Sequence, residues 1–168
     1  AQEEADTSQR VLDFMTGLFE ISDPSEARGK EVTAREILDR GVEEIDEGLE
    51  GEPLIRARMQ AVMGRVYQSL GLYRTAEPLD ERALATRREQ LGDDHPKTLE
   101  SLGLLAGLYR EQGRFDEAEP LYLEVLGKRR RMLGDDHPSV LRSMLLAELG
   151  QAMHNLGLLY YEQGRFDE

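Results

Sequence analysis

The chain contains no cysteine, which excludes disulfides, thiolate metal sites and cysteine nucleophiles while leaving the redox compartment open. Aromatic residues are scarce at 6% of the 168 residues, charged ones reach 33%, and Ala, Leu, Glu and Arg are frequent, a composition that predicts helices throughout. Lysine and arginine do not gather into the basic face that nucleic-acid binding requires, and a net charge of -13 would repel a phosphate backbone, so no nucleic-acid partner is expected. Leucine-rich stretches free of charge, such as Ser101 to Tyr109, fall far short of the roughly 20 apolar residues that a membrane helix needs. The chain opens AQEEAD, acidic where a secretory leader would be basic, and Glu168 falls within a repeat. Both ends are therefore expected to be cut from a longer parent. The cytoplasm is the expected compartment of the segment by itself, and an extracytoplasmic place follows if a membrane helix precedes it in the parent.

What the chain does have is repetition. LGDDHP at Leu91 to Pro96 returns at Leu133 to Pro138, 42 residues later, and GLYRTAEPL from Gly71 lies over GRFDEAEPL from Gly113 at the same offset. GRFDE returns once more at Gly164. A fixed period of this size marks stacked helical or strand units whose burial is spread over neighbour contacts. Function is then to be sought on a surface.

Punctuation divides the chain into helices. Val11, Phe14, Met15, Leu18 and Phe19 have helical spacing over Ser8 to Glu20, before a loop containing Pro24 and Gly29. Thr33 with Glu36 forms a capping-box signature for a helix to about Gly48. Helices are predicted over Pro53 to Leu70, Arg74 to Leu91, Pro96 to Gln112 and Phe115 to Leu133, each closed by a glycine, and a last one from Pro138 to Gln163. The signature small residue expected at 148 appears at Gly157, and apolar residues at 145, 149, 153, 156 and 160 keep one face. This predicts one continuous helix through Gly150. The expected fold is all-α, a solenoid of antiparallel helix pairs, with residues 1–32 as an N-terminal amphipathic helix and loop and 33–168 as repeats, the last one truncated.

The order Gly64, Tyr67, Gly71, Ala76, Ala83 and its echo Ala106, Tyr109, Gly113, Ala118, Val125 resembles the tetratricopeptide repeat. The 42-residue period with LGDDHP is similar to the longer variety found in kinesin light chains and many bacterial proteins. Residues 14–41 also resemble the segment that leads into the repeats of bacterial serine/threonine kinases. That second resemblance implies a kinase parent, since the chain carries no phosphate loop, HRD or DFG of its own.

Asp93, Asp94 and His95, with their copies Asp135, Asp136 and His137, could in principle ligate a divalent cation. Before Pro96 and Pro138 they read instead as helix caps, with aspartate supplying the oxygen, and no metal or other cofactor is expected. Tyr67, Tyr109 and Tyr160 keep register with apolar neighbours and read as packing residues.

The family resemblance implies that the first helix of each pair lines a concave groove. The positions it carries over as partner-binding are Arg58, Arg65, Gln68, Arg110, Gln151, His154, Asn155 and Tyr161. Family members clamp an extended peptide with adjacent asparagines. Here only Asn155 matches, His154 stands in the neighbouring place, and Ala61 with Val62 and Gly103 with Leu104 replace both. The expected role is non-catalytic protein binding or scaffolding. Alternatives are a regulatory or dimerisation segment of a kinase, and a self-assembling module. For the last, Leu149, Met153, Leu156 and Tyr160 form an apolar stripe on the terminal helix that a second copy could cover.

Overall fold

The computed structural model describes residues 33–49 and 51–162, together with residues 9, 16 and 17; for residue 34 and for 157–162 it describes the backbone alone. The expected N-terminal helix and its loop fall almost wholly outside the described residues. Six helices follow in order: α1 (Ala34–Gly48), α2 (Pro53–Ser69), α3 (Tyr73–Leu91), α4 (Pro96–Glu111), α5 (Phe115–Leu133) and α6 (Pro138–Glu162). Each packs on the next, and the described residues contain no strand. This is an all-α solenoid of antiparallel pairs.

Local chemistry sets the ends. Thr33 accepts the Glu36 amide at 3.2 Å while the Glu36 carboxylate accepts the Thr33 amide at 2.8 Å, closing the capping box that the sequence predicts. α3 and α5 stop at Gly92 and Gly134, whose φ/ψ of 88/164° and 80/161° lie in a region open essentially to glycine alone. The cap of α4 is a correction to the sequence reading. His95 Nδ1, and not an aspartate, accepts the Lys97 amide at 3.1 Å, and His137 does the same for Ser139 at 3.2 Å. Asp93 and Asp135 are turned back to Arg88 at 3.1 Å and Arg130 at 2.9 Å, neutralising the last turns they follow. Pro78 and Pro120 lie inside their helices, five residues after the first.

One core runs through the stack, from Leu38 and Ile45 of α1 through Met63, Tyr67, Leu79, Leu102, Leu108 and Tyr122 to Val140 and Ala147 of α6. Tyr67 donates to Asp39 at 2.6 Å and Tyr109 to Glu81 at 3.5 Å, so each tyrosine anchors to an acid 28 residues earlier on the preceding pair. Burial, then the Asp39 carboxylate, push the Tyr67 phenol well above its ordinary range.

The period also repeats a polar latch across the LGDDHP turn. Arg87 Nη1 donates to Ser101 Oγ at 2.7 Å and to the Lys97 carbonyl at 3.1 Å; 42 residues on, Arg129 Nη1 donates to Ser143 Oγ at 2.7 Å. At the first junction the corresponding positions hold Ile45 and Met59, both buried. The same seam is thus closed twice with a charge and once with hydrocarbon.

This comparison yields a prediction. Ser101→Ala strips the buried Arg87 of its side-chain acceptor and should cost about 1–3 kcal/mol. The pair Arg87→Ile with Ser101→Met, copying the first junction, should recover most of that loss. Urea unfolding of the three variants checks it; equal losses in the single and the paired variant would contradict the account.

Candidate functional site

The most constrained polar group in the structure is Asp80 on α3. It is 2% exposed, Gln68 Nε2 donates to its Oδ2 at 2.6 Å, and its Oδ1 is buried without a hydrogen-bond partner. That oxygen lies against Gly64 of α2, where an added Cβ would stand 2.5 Å from it, so the glycine is required by the carboxylate and not by helix packing in general. Forty-two residues later the position is Tyr122, whose ring edge lies over Gly150 and whose hydroxyl faces Gly107. Burial raises the Asp80 carboxyl to about 6, against the opposing pull of Gln68, Arg65 and Arg87.

Arg65 and Arg87 face Asp80, and further arginines scattered in sequence extend from them. Arg87 is pushed below its ordinary value first by burial and further by Arg58 and Arg65, while Glu100 pulls it back. Arg129 is likewise lowered by burial and by Arg142, and raised by Glu100. Positions 58, 100 and 142 are 42 apart, as are 87 and 129, so a row of five arginines with one glutamate runs across the repeats. The period itself was the available signal. With Arg87 and Arg129 held inside by serines, Arg65 and Arg142 are the exposed members and Arg58 is half-buried.

The other residues singled out by sequence fall into different places. Gln68 is engaged by Asp80, and Arg110 pairs with Glu111 at 2.6 Å. His154 Nδ1 lies 2.6 Å from Asp116 of α5, at the seam between α5 and α6. Gln151 and Asn155 are exposed, as are Leu149, Met153 and Leu156; the side chains of Tyr160 and Tyr161 lie outside the described residues. α6 is continuous through Gly150, as the apolar spacing requires. No group of three or more His, Asp or Glu side chains among the described residues is arranged to hold a metal ion.

The raised Asp80 carboxyl makes a pH prediction. The folded chain keeps this proton up to about pH 6 whereas an unfolded aspartate loses it near 4, so stability falls as pH rises through that window. The contribution of this group is on the order of 2–3 kcal/mol. Asp80→Asn, which keeps an acceptor for Gln68, should remove most of that slope in denaturant midpoints measured from pH 4 to 7; an unchanged slope would place its origin elsewhere.

Comparison with known proteins accords with this geometry. The tetratricopeptide-repeat pattern matches residues 55–131, and a second tetratricopeptide-repeat pattern matches 149–168. None of the curated proteins is similar enough in sequence to count as a match. Among solved structures, a kinesin light chain of Podosopora anserina with nearly identical TPR-like repeats superposes with a TM-score of 0.68 at 25% identity, over 87% of this chain and 67% of that one. A point variant of the same Podosopora anserina protein gives 0.67 at 24% identity, over 87% and 67%. BtubC (BKLC) from P. vanneervenii gives 0.56 at 19%, over 95% of this chain and 65% of that one, a likeness of fold. The two pattern matches together span more than half of the 168 residues, and the turns, tyrosine anchors and paired helices repeat with them. The chain is a tetratricopeptide-repeat protein, related to kinesin-light-chain-like repeats.

Proposed function

We propose that this chain is a protein-binding scaffold whose concave face, lined by α2, α4 and α6, takes an acidic segment of a partner. The observation that carries the reading is the arginine row. The five guanidinium groups stand with Asp80 and Glu100 inside a chain of net charge -13; Arg87 is lowered by burial and then by Arg58 and Arg65, and Arg129 by burial and then by Arg142, which supports a place where an added carboxylate is favourable. Arg58, Arg65 and Arg142 are the members able to reach a ligand. Arg110 stands further along the same face, and Asn155 and Gln151 are the exposed amides at its far end, suited to a partner's backbone. The His154 ring is held by Asp116, and the Gln68 amide by Asp80, so these two shape the face more than they grip a ligand. A regulatory role beside an attached kinase rests on the resemblance of residues 14–41 alone.

A second reading, self-association through the end helix, is favoured by the exposure of Leu149, Met153 and Leu156 on α6.

The test of the scaffold reading is direct. A fluorescent peptide library rich in Asp and Glu should bind the chain with affinity that weakens at higher salt, and Arg58→Glu combined with Arg65→Glu should reduce binding by at least tenfold. Acidic-peptide binding unchanged by the double reversal would remove the arginine row from the function.

A further inference from the structure

α4 keeps one face accessible, the stripe Glu100, Gly103, Leu104, Gly107, Arg110 and Glu111; every other position from Thr98 to Tyr109 is buried. Two glycines one turn apart stand in the middle of that face. Glycine is the poorest helix former after proline, and the fold requires neither of these. A Cβ at Gly103 would meet nothing within 4 Å, and one at Gly107 only the Tyr122 hydroxyl at 3.7 Å, an ordinary contact. Gly64 is the contrast, since the Asp80 carboxylate leaves no room for a side chain there. Gly103 and Gly107 therefore bare a strip of helix that another backbone can approach closely from outside.

The strip also carries a polar group that the fold leaves unused. Tyr122 of α5 is 3% exposed, yet its hydroxyl makes no hydrogen bond with any described residue. The ring edge passes Gly150 of α6, and the oxygen arrives beside Gly107 of α4. Unlike the Asp80 oxygen it is not sealed off, so it meets the surface at the strip. Burial raises the phenol while Arg110 pulls it back, and the group stays protonated at neutral pH as a donor facing outwards.

We propose that the strip over Gly103 and Gly107 is the seat of a partner's main chain, with a carbonyl of an extended segment accepting the Tyr122 hydroxyl. The inference rests on the scaffold reading and locates the middle of its ligand, between Arg58 and Arg65 of α2 and Arg142 of α6. One hydroxyl matches one carbonyl, which offers lone pairs and has no charge to neutralise. A carboxylate is drawn instead to the guanidinium groups on either side.

Fluorescence anisotropy of a labelled peptide from the Asp- and Glu-rich library, titrated with the full chain, tests the proposal. Gly103→Ala and Gly107→Ala should each weaken binding about tenfold or more while Tm stays level or rises, because alanine is the better helix former and both places have room for a methyl group. Gly127→Ala, at a similarly roomy glycine of α5, should leave binding unchanged. Tyr122→Phe should weaken binding about three- to tenfold, and by the same factor whichever peptide residue is replaced by alanine. An effect of Tyr122→Phe that vanishes on replacing one Asp or Glu of the peptide would give the hydroxyl to a carboxylate and overturn the main-chain seat. Unaltered binding by the two strip variants, or by Tyr122→Phe, would overturn it as well. Binding that resists Arg58→Glu with Arg65→Glu and falls with Gly107→Ala would remove the arginine reading and keep the strip, whereas no binding by any library peptide would remove both.

Discussion

The structure depends on the contact across the LGDDHP turn, where an arginine of one helix pair reaches the serine of the next. A solenoid has no central core to fix the angle between units, so each junction must set it locally. Arg87 and Arg129 do this with a directional hydrogen bond to Ser101, buried, and to Ser143, part-buried, while Gly92 and Gly134 supply the backbone turn that brings donor and acceptor together. Hydrocarbon at the Ile45 and Met59 junction closes the same seam without a preferred direction. Burial supplies the attraction in all three junctions, and the latch supplies the orientation.

That solution has an electrostatic consequence. An arginine pulled into a junction keeps its full charge, and the two junctions hold one buried and one half-buried cation. Asp80 and Glu100 offset part of this charge. The remainder is presented outwards with Arg58, Arg65 and Arg142. The candidate binding face is in this sense a by-product of the latches that hold the repeats in line, and the acidic surroundings sharpen its contrast.

Much of the fold was legible because it is written in local chemistry. Thr33 with Glu36, the glycines after Leu91 and Leu133, and the unbroken apolar spacing through Gly150 each specify backbone geometry within a few residues of themselves. What could not be read is set by neighbours distant in sequence. Asp93 looks like a cap until Arg88 and Lys128 compete for it, and the histidine beside it has no such competitor. Asp80 looks like a surface residue of an acidic helix until Gly64 closes over it. The candidate site was the less legible part for this reason: its arginines lie on four helices, and only the packing brings Arg58 and Arg65 to Arg87 and Arg142 to Arg129. α6 was legible as one helix with Leu149, Met153 and Leu156 on an uncovered stripe, whereas the small Val140, Ser143, Ala147 and Gly150 that are buried against its neighbours carry no signal of their own in sequence.

The two ways of closing the junction bear on how such arrays diversify. A unit that carries Arg87 is compatible only with a successor that carries a serine at the matching place, and Ile45 only with an apolar successor such as Met59. Recombination that joins the first half of one unit to the second half of another would set a guanidinium against a thioether in a closed interface. Exchange is therefore confined to whole junctions, and duplication by 42 residues copies donor and acceptor as an inseparable pair.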